Sequence, residues 1–252
     1  MELCFQNFVG VIDSGVGGLT ILAQLQRDYP LCNFVYIADS AYCPYGIKQP
    51  MEILHRVKTL IHFLQDCGVQ AVVIACNTAS VYADIFRQQF KLPIYDVITP
   101  TCNRVVENTE SKRVALLATN ATVASLAYQR KLKASDITVV SFPCSEFVPF
   151  VEANEIDTVE CTSAVNKLLF SLPRCNVDTV ILGCTHFPLL RKKIAPYTNG
   201  AKIVECCTYF QPTQYCDIKT HVNSIFLTTG VEKQANTAAN WYEQANFIHI
   251  DI

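Results

Sequence analysis

The chain has 252 residues, half of them hydrophobic and 17% charged, with a formal net charge of −2. This length allows one large α/β domain or two compact ones with buried cores. Lys and Arg are scattered, so no basic stripe predicts a nucleic-acid partner or a membrane surface. The amino terminus lacks a signal-peptide pattern, and the apolar runs are shorter than the roughly 20 residues of a membrane span. We therefore expect a cytoplasmic protein.

Short apolar segments rich in β-branched residues are predicted to be strands. Their near-continuous hydrophobicity is typical of strands covered on both faces, as in a parallel sheet. In chain order they are Phe8–Asp13, Phe34–Asp39, Ala71–Cys76, Val114–Thr119, Ile137–Phe142, Thr179–Cys184, Lys202–Cys206 and Phe247–Ile252.

Helical periodicity appears between the predicted strands. The clearest helix is Pro50–Asp66, which has one apolar stripe and is ended by Gly68. Further helices are predicted near Leu19 and over Thr122–Leu132 and Glu152–Leu169. Alternating strands and helices predict the α/β class with parallel sheets.

An internal repeat is the most informative feature of the chain. Residues 67–78 align without gaps with residues 175–186, and both copies end in a buried strand, a Cys and small polar residues. A weaker repeat pairs residues 11–14 with residues 116–119. Buried strands resemble each other by chance, but a gapless match ending in Cys and polar residues favours duplication. The repeat predicts two related α/β halves of domain size.

The repeat places Cys76 and Cys184 at the carboxyl ends of two strands, where parallel sheets bind ligands. If the two halves face each other, one thiol lies on each side of the bound molecule. Inversion at a carbon requires such a pair, because one group removes a proton and the other returns one to the opposite face. A thiol with a pKa of about 8.5 can serve in either role.

The other cysteines fit no metal or redox motif. The chain has thirteen Cys and five His residues, and no CxxC pair occurs. Most of the thirteen are expected to be reduced and buried as small hydrophobic side chains. We predict no metal site.

Polar and glycine residues flank the two predicted catalytic positions. Asp13 and Ser14 open a glycine-rich loop before the first helix, where the helix amino terminus favours an anion. Tyr45 and Gly46 lie in a turn after the second strand. Hydrogen-bonding side chains also follow each cysteine, and could stabilise charge that develops on a substrate carboxylate. They are Asn77 and Thr78 after Cys76, and Thr185 and His186 after Cys184.

Several segments resemble motifs of bacterial glutamate racemases, in the aspartate/glutamate racemase family. The resemblance covers essentially the whole chain in motif order, and the motifs centred on the cysteines are the most specific. The matching segments are residues 12–20, 38–40, 44–46, 75–80 and 182–190, with weaker matches over 119–125 with Tyr128 and over 147–152.

The resemblance implies two pseudo-symmetric α/β domains that face each other across an active-site cleft. It implies a cofactor-independent racemase that interconverts L- and D-glutamate for peptidoglycan synthesis, with glutamate as its small-molecule partner and a homodimer as its assembly. By resemblance, one domain comprises residues 1–98 plus 207–252 and the other comprises residues 99–206.

The resemblance also assigns roles to individual residues. Cys76 and Cys184 would exchange protons with the substrate, Asp13 and His186 would tune the thiols, and Glu152 and Asp39 would be auxiliary acids. A solvated surface role is a fair alternative for Glu152 and Asp39. The implied substrate contacts are Asp13, Ser14, Tyr45, Gly46, Asn77, Thr78, Thr185 and His186.

Some positions depart from the family pattern. Residues 99–101, Thr-Pro-Thr, and residues 204–207, Val-Glu-Cys-Cys, stand where the two domains are expected to connect, so the hinge is expected to differ. The long amino-terminal extension of members regulated by a cell-wall precursor is absent from the sequence, so that regulation is not expected.

Three other functions remain open from the sequence. The closest is racemisation of aspartate or isomerisation of a related diacid. A thiol hydrolase that uses one Cys with His186 would leave the repeat unexplained. A non-catalytic binding or inhibitory protein could retain the racemase scaffold.

Overall fold

A computed structural model describes residues 3–210 and 224–252, so residues 1–2 and 211–223 of the first predicted domain lie outside the described residues. The strands are Phe8–Asp13 (β1), Asn33–Ala38 (β2), Ala71–Ile74 (β3), Ile94–Asp96 (β4), Arg113–Ala118 (β5), Thr138–Pro143 (β6), Thr179–Gly183 (β7), Lys202–Glu205 (β8), Ile225–Thr228 (β9) and Phe247–His249 (β10). The helices are Leu19–Asp28 (α1), Pro50–Asp66 (α2), Asn77–Ser80 (α3), Ala83–Gln89 (α4), Ile98–Asn108 (α5), Asn120–Ala124 (α6), Ala127–Lys133 (α7), Phe147–Glu152 (α8), Val159–Leu169 (α9), Arg191–Ile194 (α10) and Glu232–Ala238 (α11).

The strands form two parallel sheets. Sheet A has the order β10-β9-β2-β1-β3-β4, and sheet B has the order β6-β5-β7-β8. Every pairing in both sheets is parallel. The predicted α/β class with parallel sheets is therefore confirmed.

The strand order confirms the duplication inferred from the repeat. The order β2-β1-β3-β4 in sheet A recurs as β6-β5-β7-β8 in sheet B. The register agrees as well, because Ile12 pairs with Ile74 in sheet A and Leu117 pairs with Leu182 in sheet B. Cys76 and Cys184 each follow the second member of these pairs by two residues. The two cysteines thus occupy equivalent positions in the two sheets.

Helices cover both faces of sheet A, which explains its unbroken apolar strands. Val9 and Val11 of β1 pack with α1 on one face, while Ile12 packs with α2 on the other face. Burying a Val, Leu or Ile side chain contributes about 1.5–3 kcal/mol, so these two faces account for much of the stability of this half. The rigid centre of the sheet holds the carboxyl end of β1 in place.

The structure corrects several predicted elements. The helix predicted over Glu152–Leu169 is wrong in its first part, because α8 ends at Glu152 and α9 begins at Val159, with the Thr158 hydroxyl as its cap. The helix predicted over Thr122–Leu132 is broken at Leu126, which has a φ of 57°. Strands β4 and β9 were not predicted, because three or four residues are too short for a clear periodic pattern.

The two chain crossovers between the sheets are bonded to each other. The backbone N–H of Cys207 donates to the Thr101 hydroxyl over 3.1 Å, and the Thr208 hydroxyl donates to the Asp96 carbonyl over 3.0 Å. The departures from the family pattern noted in the sequence thus meet at one place. They form a double connection between the two sheets.

Within residues 3–210 and 224–252, no helix combines the length and the apolar character needed to cross a membrane. In the part of the chain that the structure describes, eleven cysteines are free thiols, and eight of these are buried. The expectation that most cysteines are reduced and buried is confirmed.

Candidate active site

The carboxyl ends of β1, β3 and β7 bring the predicted catalytic residues into one buried region. Asp13 ends β1, while Cys76 and Cys184 follow β3 and β7. Asp13, Cys76, Cys184 and His186 are between 2% and 6% exposed. This burial makes charges and hydrogen bonds in the region stronger than they would be in water.

Asp13 connects the two sheets. Its Oδ1 accepts the backbone N–H of Gly15 at 3.0 Å, and its Oδ2 accepts the Thr185 hydroxyl at 3.1 Å. Burial raises the pKa of Asp13 above 3.8, and the nearby His186 partly opposes this shift. Because Thr185 follows Cys184, this hydrogen bond holds the Cys184 loop against the first strand.

A chain of polar contacts extends from Cys184. Its Sγ lies 3.6 Å from His186 Nδ1, and His186 Nε2 lies 2.6 Å from Oε1 of Glu152. The same Oε1 accepts the backbone N–H of Val16 at 2.8 Å. Glu152, which ends α8 beside sheet B, thereby also contacts the glycine-rich loop after β1.

His186 is held in its charged form by its partners. Burial lowers its pKa, but the hydrogen bonds and charges of Cys184 and Glu152 raise the pKa more, so that it lies well above 6.5. A protonated imidazole therefore lies 3.6 Å from the sulfur of Cys184.

Cys76 has a different environment. Its Sγ donates to the Ser14 hydroxyl at 3.7 Å. Burial, and after it the Asp13 carboxylate, raise the pKa of Cys76 to about 12, and the charge of Cys184 contributes to the same shift. Cys76 is therefore a protonated thiol at neutral pH.

Glycines after β1 allow this close packing. A Cβ on Gly17 would lie 2.5 Å from His186 Nδ1, and a Cβ on Gly15 would collide with the Glu152 carboxylate. Only residues without a side chain let the loop approach both groups.

Three hydroxyl groups form a cluster next to Cys76. The hydroxyl of Thr78 lies 2.9 Å from that of Thr119 and 3.3 Å from that of Thr122, and the Thr119 and Thr122 hydroxyls are 2.9 Å apart. Thr78 belongs to α3 of the first half, while the other two lie at the start of α6 beside sheet B. The cluster is a second polar connection between the halves.

Asn77 is held on both sides of its amide. The Tyr128 hydroxyl donates to Asn77 Oδ1 at 2.6 Å, and Asn77 Nδ2 lies 2.9 Å from Cys206 Sγ. All three residues are buried. The Asn77 side chain, which follows Cys76 in the sequence, therefore has one fixed orientation.

Tyr45 and Gly46 lie at the edge of the region. The Tyr45 hydroxyl donates to Asp39 Oδ2 at 2.5 Å, and Arg56 donates to the same carboxylate through Nε and Nη2. The Tyr45 ring lines a small void beside Cys76. A Cβ on Gly46 would lie 2.7 Å from the Thr119 Cβ. Asp39 is fully buried, so the surface alternative for this residue is wrong.

The void beside Cys76, lined also by Asp13 and Ile12, has no room for a water molecule. A cavity of about 580 Å³ lies outside Glu152, between Cys43, Pro44 and Pro149 and the start of α11 at Lys233. Its size is within the range of ligand pockets.

Among the described residues, no group of three or more His, Cys, Asp or Glu side chains is arranged to hold a metal ion.

Sequence reasoning missed several residues of this region. Thr119 aligns with Ser14 in the weaker repeat, so that alignment could have identified it. Thr122 follows at the start of the same helix. Tyr128 lay in a weaker match to the family motifs and Cys206 in a departure from them, but neither received a role, because their contacts with Asn77 span 51 and 129 residues of the chain.

Comparison with known proteins places this chain in a family. The model of the Asp/Glu/Hydantoin racemase family matches residues 20–209. A glutamate racemase of Aquifex aeolicus is 38% identical over 198 residues, which cover 78% of each chain.

Two solved structures agree in fold over the whole chain. A glutamate racemase isoform of Bacillus anthracis has a TM-score of 0.84 and 27% identity, covering 100% of this chain and 98% of the other. A glutamate racemase of Francisella tularensis, solved in complex with D-glutamate, has a TM-score of 0.84, 26% identity and the same coverage. With its two parallel sheets and paired cysteines, the chain belongs to the Asp/Glu/Hydantoin racemase family.

Proposed function

We propose that this protein is a cofactor-independent glutamate racemase that uses Cys76 and Cys184 as its two acid/base groups. The equivalent placement of these cysteines on the duplicated sheets carries the proposal. Both lie beside Asp13, whose carboxylate contacts the loops of both halves. The relatives reported above are glutamate racemases, and one of them binds D-glutamate in its crystal.

The two thiols differ in a way that suits a two-base reaction. The charged His186 lies beside the sulfur of Cys184, the base in this direction of the proposed reaction, while Cys76 keeps its proton at neutral pH. The Cys184 thiolate takes the Cα proton, and the electron pair of the broken C–H bond spreads into the substrate carboxylate. The Cys76 thiol then donates its proton to the opposite face of Cα, and in the reverse reaction the cysteines exchange roles.

The polar side chains around the cysteines hold the substrate in this proposal. Ser14, Asn77 and Thr78 donate hydrogen bonds to the carboxylates and stabilise the charge that develops on deprotonation. The Thr185 hydroxyl, which donates to Asp13, accepts a hydrogen bond from the substrate ammonium group. Asp13, His186 and Glu152 tune the thiols. Tyr45 and Gly46 form one wall of the site; the Tyr45 hydroxyl is bonded to Asp39, so its ring makes the contact.

Entry of glutamate requires the two halves to separate, because the void beside Cys76 has no room for a water molecule. The moving bodies in this proposal are residues 1–98 plus 207–252 and residues 99–206. The cavity outside Glu152 is the entrance, since Glu152 belongs both to its lining and to the polar chain that reaches Cys184.

A deuterium-exchange experiment tests the function. L-Glutamate in heavy water, without added cofactor, should lose its optical activity and gain deuterium at Cα. The variants Cys76→Ser and Cys184→Ser should each abolish racemisation, while Cys161→Ala, at a buried cysteine in the core of sheet B, should retain it. Full turnover in both single variants would disprove the two-base mechanism. Faster exchange with aspartate than with glutamate would change the assigned substrate.

The proposed cellular role is the supply of D-glutamate for peptidoglycan in the cytoplasm. Expression of the chain should allow a bacterium that lacks its own glutamate racemase to grow without added D-glutamate. The homodimer stays a prediction, which light scattering of the purified protein tests.

A further inference from the structure

Cys206 is a buried thiol at the end of the second crossover, outside the set of residues predicted for the site. It follows β8, and no sequence motif assigned it a role. Its Sγ lies 2.9 Å from Asn77 Nδ2 and 2.7 Å from the carbonyl oxygen of Leu182. Asn77 follows Cys76 directly, and Leu182 lies two residues before Cys184. Cys206 therefore contacts the segments that carry both cysteines.

We propose that Cys206 is a positioning residue, which orients the Asn77 amide toward the substrate. Through its second contact, with the Leu182 carbonyl, it also aligns the Asn77 amide with the strand that leads to Cys184. The inference rests on the proposed racemase function. It assigns a role to a residue at the position where this chain departs from its family's usual pattern.

The chemistry of a thiol fits both contacts. The S–H group donates to the Leu182 carbonyl, and a sulfur lone pair accepts an N–H from the Asn77 amide. The second amide N–H of Asn77 stays available for a substrate carboxylate. Because Asn77 Oδ1 accepts from the Tyr128 hydroxyl, the amide cannot turn over without losing both contacts.

Two further observations support this position for Cys206. Burial raises the pKa of Cys206, and the charge of Cys184 contributes to the same shift. Cys206 is therefore a neutral thiol at neutral pH and does not compete with Cys184 as a base. The neighbouring Cys207 instead bonds through its backbone N–H to Thr101 at the crossover.

Steady-state kinetics of single and double variants test the role. We expect Cys206→Ala to raise KM for L-glutamate about tenfold and to leave kcat within about threefold, because it removes a contact that orients a substrate-binding group. Cys206→Ser keeps a donor and an acceptor and should restore KM to within about threefold of the parent value. Cys207→Ala, the matched buried neighbour, should behave like the parent protein.

The Asn77→Ala background separates positioning from general packing. If Cys206 acts through Asn77, then Cys206→Ala adds less than about a twofold change in KM to Asn77→Ala. Full tenfold effects in both backgrounds would overturn the inference, as would an unchanged KM in Cys206→Ala.

An NMR measurement gives a result that does not depend on turnover. The side-chain amide resonance of Asn77, assigned by its loss in Asn77→Asp, should shift in Cys206→Ser because oxygen replaces sulfur as the acceptor. It should stay in place in Cys207→Ala. An unchanged Asn77 resonance in Cys206→Ser would overturn the inference even if Cys206→Ala does not fold. Absence of turnover in the parent protein would instead contradict the proposed function. The NMR result would still show whether Cys206 contacts the Asn77 amide.

Discussion

The Thr185 hydroxyl donates a hydrogen bond of 3.1 Å to Asp13 Oδ2, although the two residues are 172 positions apart in the chain. Thr185 follows Cys184 after β7 of sheet B, and Asp13 ends β1 of sheet A. The contact therefore joins the two halves at the level of the proposed catalytic sulfurs. Loss of this hydrogen bond is therefore expected to disturb the alignment of the two halves.

Replacing Thr185 with Val should lower kcat/KM for glutamate about tenfold, because a net hydrogen bond to a charged group contributes about 1.5 kcal/mol or more. Thr185→Ser retains the hydroxyl and should lose much less activity. Polarimetric assays of both variants, with circular dichroism as a check of folding, provide the measurement. Equal activity of the Val and Ser variants would show that the hydroxyl is dispensable.

Glu152→Gln should change the pH dependence of stability. The pKa of His186 lies well above the value of about 6.5 for an unfolded chain, so the stabilisation is fully present below pH 6.5 and is lost as pH rises through the folded pKa. The amide oxygen of glutamine can still accept a hydrogen bond from His186 Nε2, but the negative charge is removed.

The difference in the free energy of unfolding between the parent protein and Glu152→Gln should therefore be larger near pH 6 than at a pH above the raised pKa of His186. Urea denaturation across this pH range measures it. Glu160→Gln, at an exposed acid in the first turn of α9, serves as the control. A constant difference across the range would mean that Glu152 does not hold the charge on His186.

Gly17→Ala should impair catalysis more than folding. The new Cβ would lie 2.5 Å from His186 Nδ1, so the imidazole would have to leave its position beside Cys184. We expect kcat to fall at least about tenfold, since displaced acid/base groups lose much of their effect.

Gly200→Ala is a useful contrast to Gly17→Ala. Its Cβ would meet nothing within 4 Å, but the φ of 81° is strained for alanine. It should cost about 1 kcal/mol of stability and leave kcat unchanged. Thermal melts and racemisation assays of both variants distinguish the two effects. Normal kcat in a folded Gly17→Ala variant would contradict the tight packing of His186.

Arg56→Met should strongly destabilise the protein. Arg56 and Asp39 form a buried ion pair at 2.7 Å, with side chains that are 6% and 0% exposed. Removing the cation leaves a buried carboxylate without its partner, which costs about 3–5 kcal/mol. The exposed pair of Arg27 and Asp28 offers the matched control, because Arg27→Met should cost less than about 1 kcal/mol. Chemical denaturation of both variants gives the comparison, and equal losses would refute the expectation.

The local sequence determined much of the fold, as α2 illustrates. The helix runs over Pro50–Asp66 as predicted, because its apolar stripe and Pro at the first position are properties of neighbouring residues. The break between α8 and α9 was missed, because the apolar pattern continues across it while Asn154, with a φ of 57°, turns the chain. A pattern of polarity does not report such a backbone angle.

The alternation of strands and helices, the duplication, and the positions of Cys76 and Cys184 within it could all be predicted from the sequence alone. These features depend on the order and polarity of residues that are near in the chain, which a single sequence displays. Three contacts became visible only in three dimensions: Glu152 with Val16, Thr78 with Thr119, and Cys206 with Asn77. Such contacts depend on how two separately formed sheets pack against each other, and no local pattern encodes that arrangement.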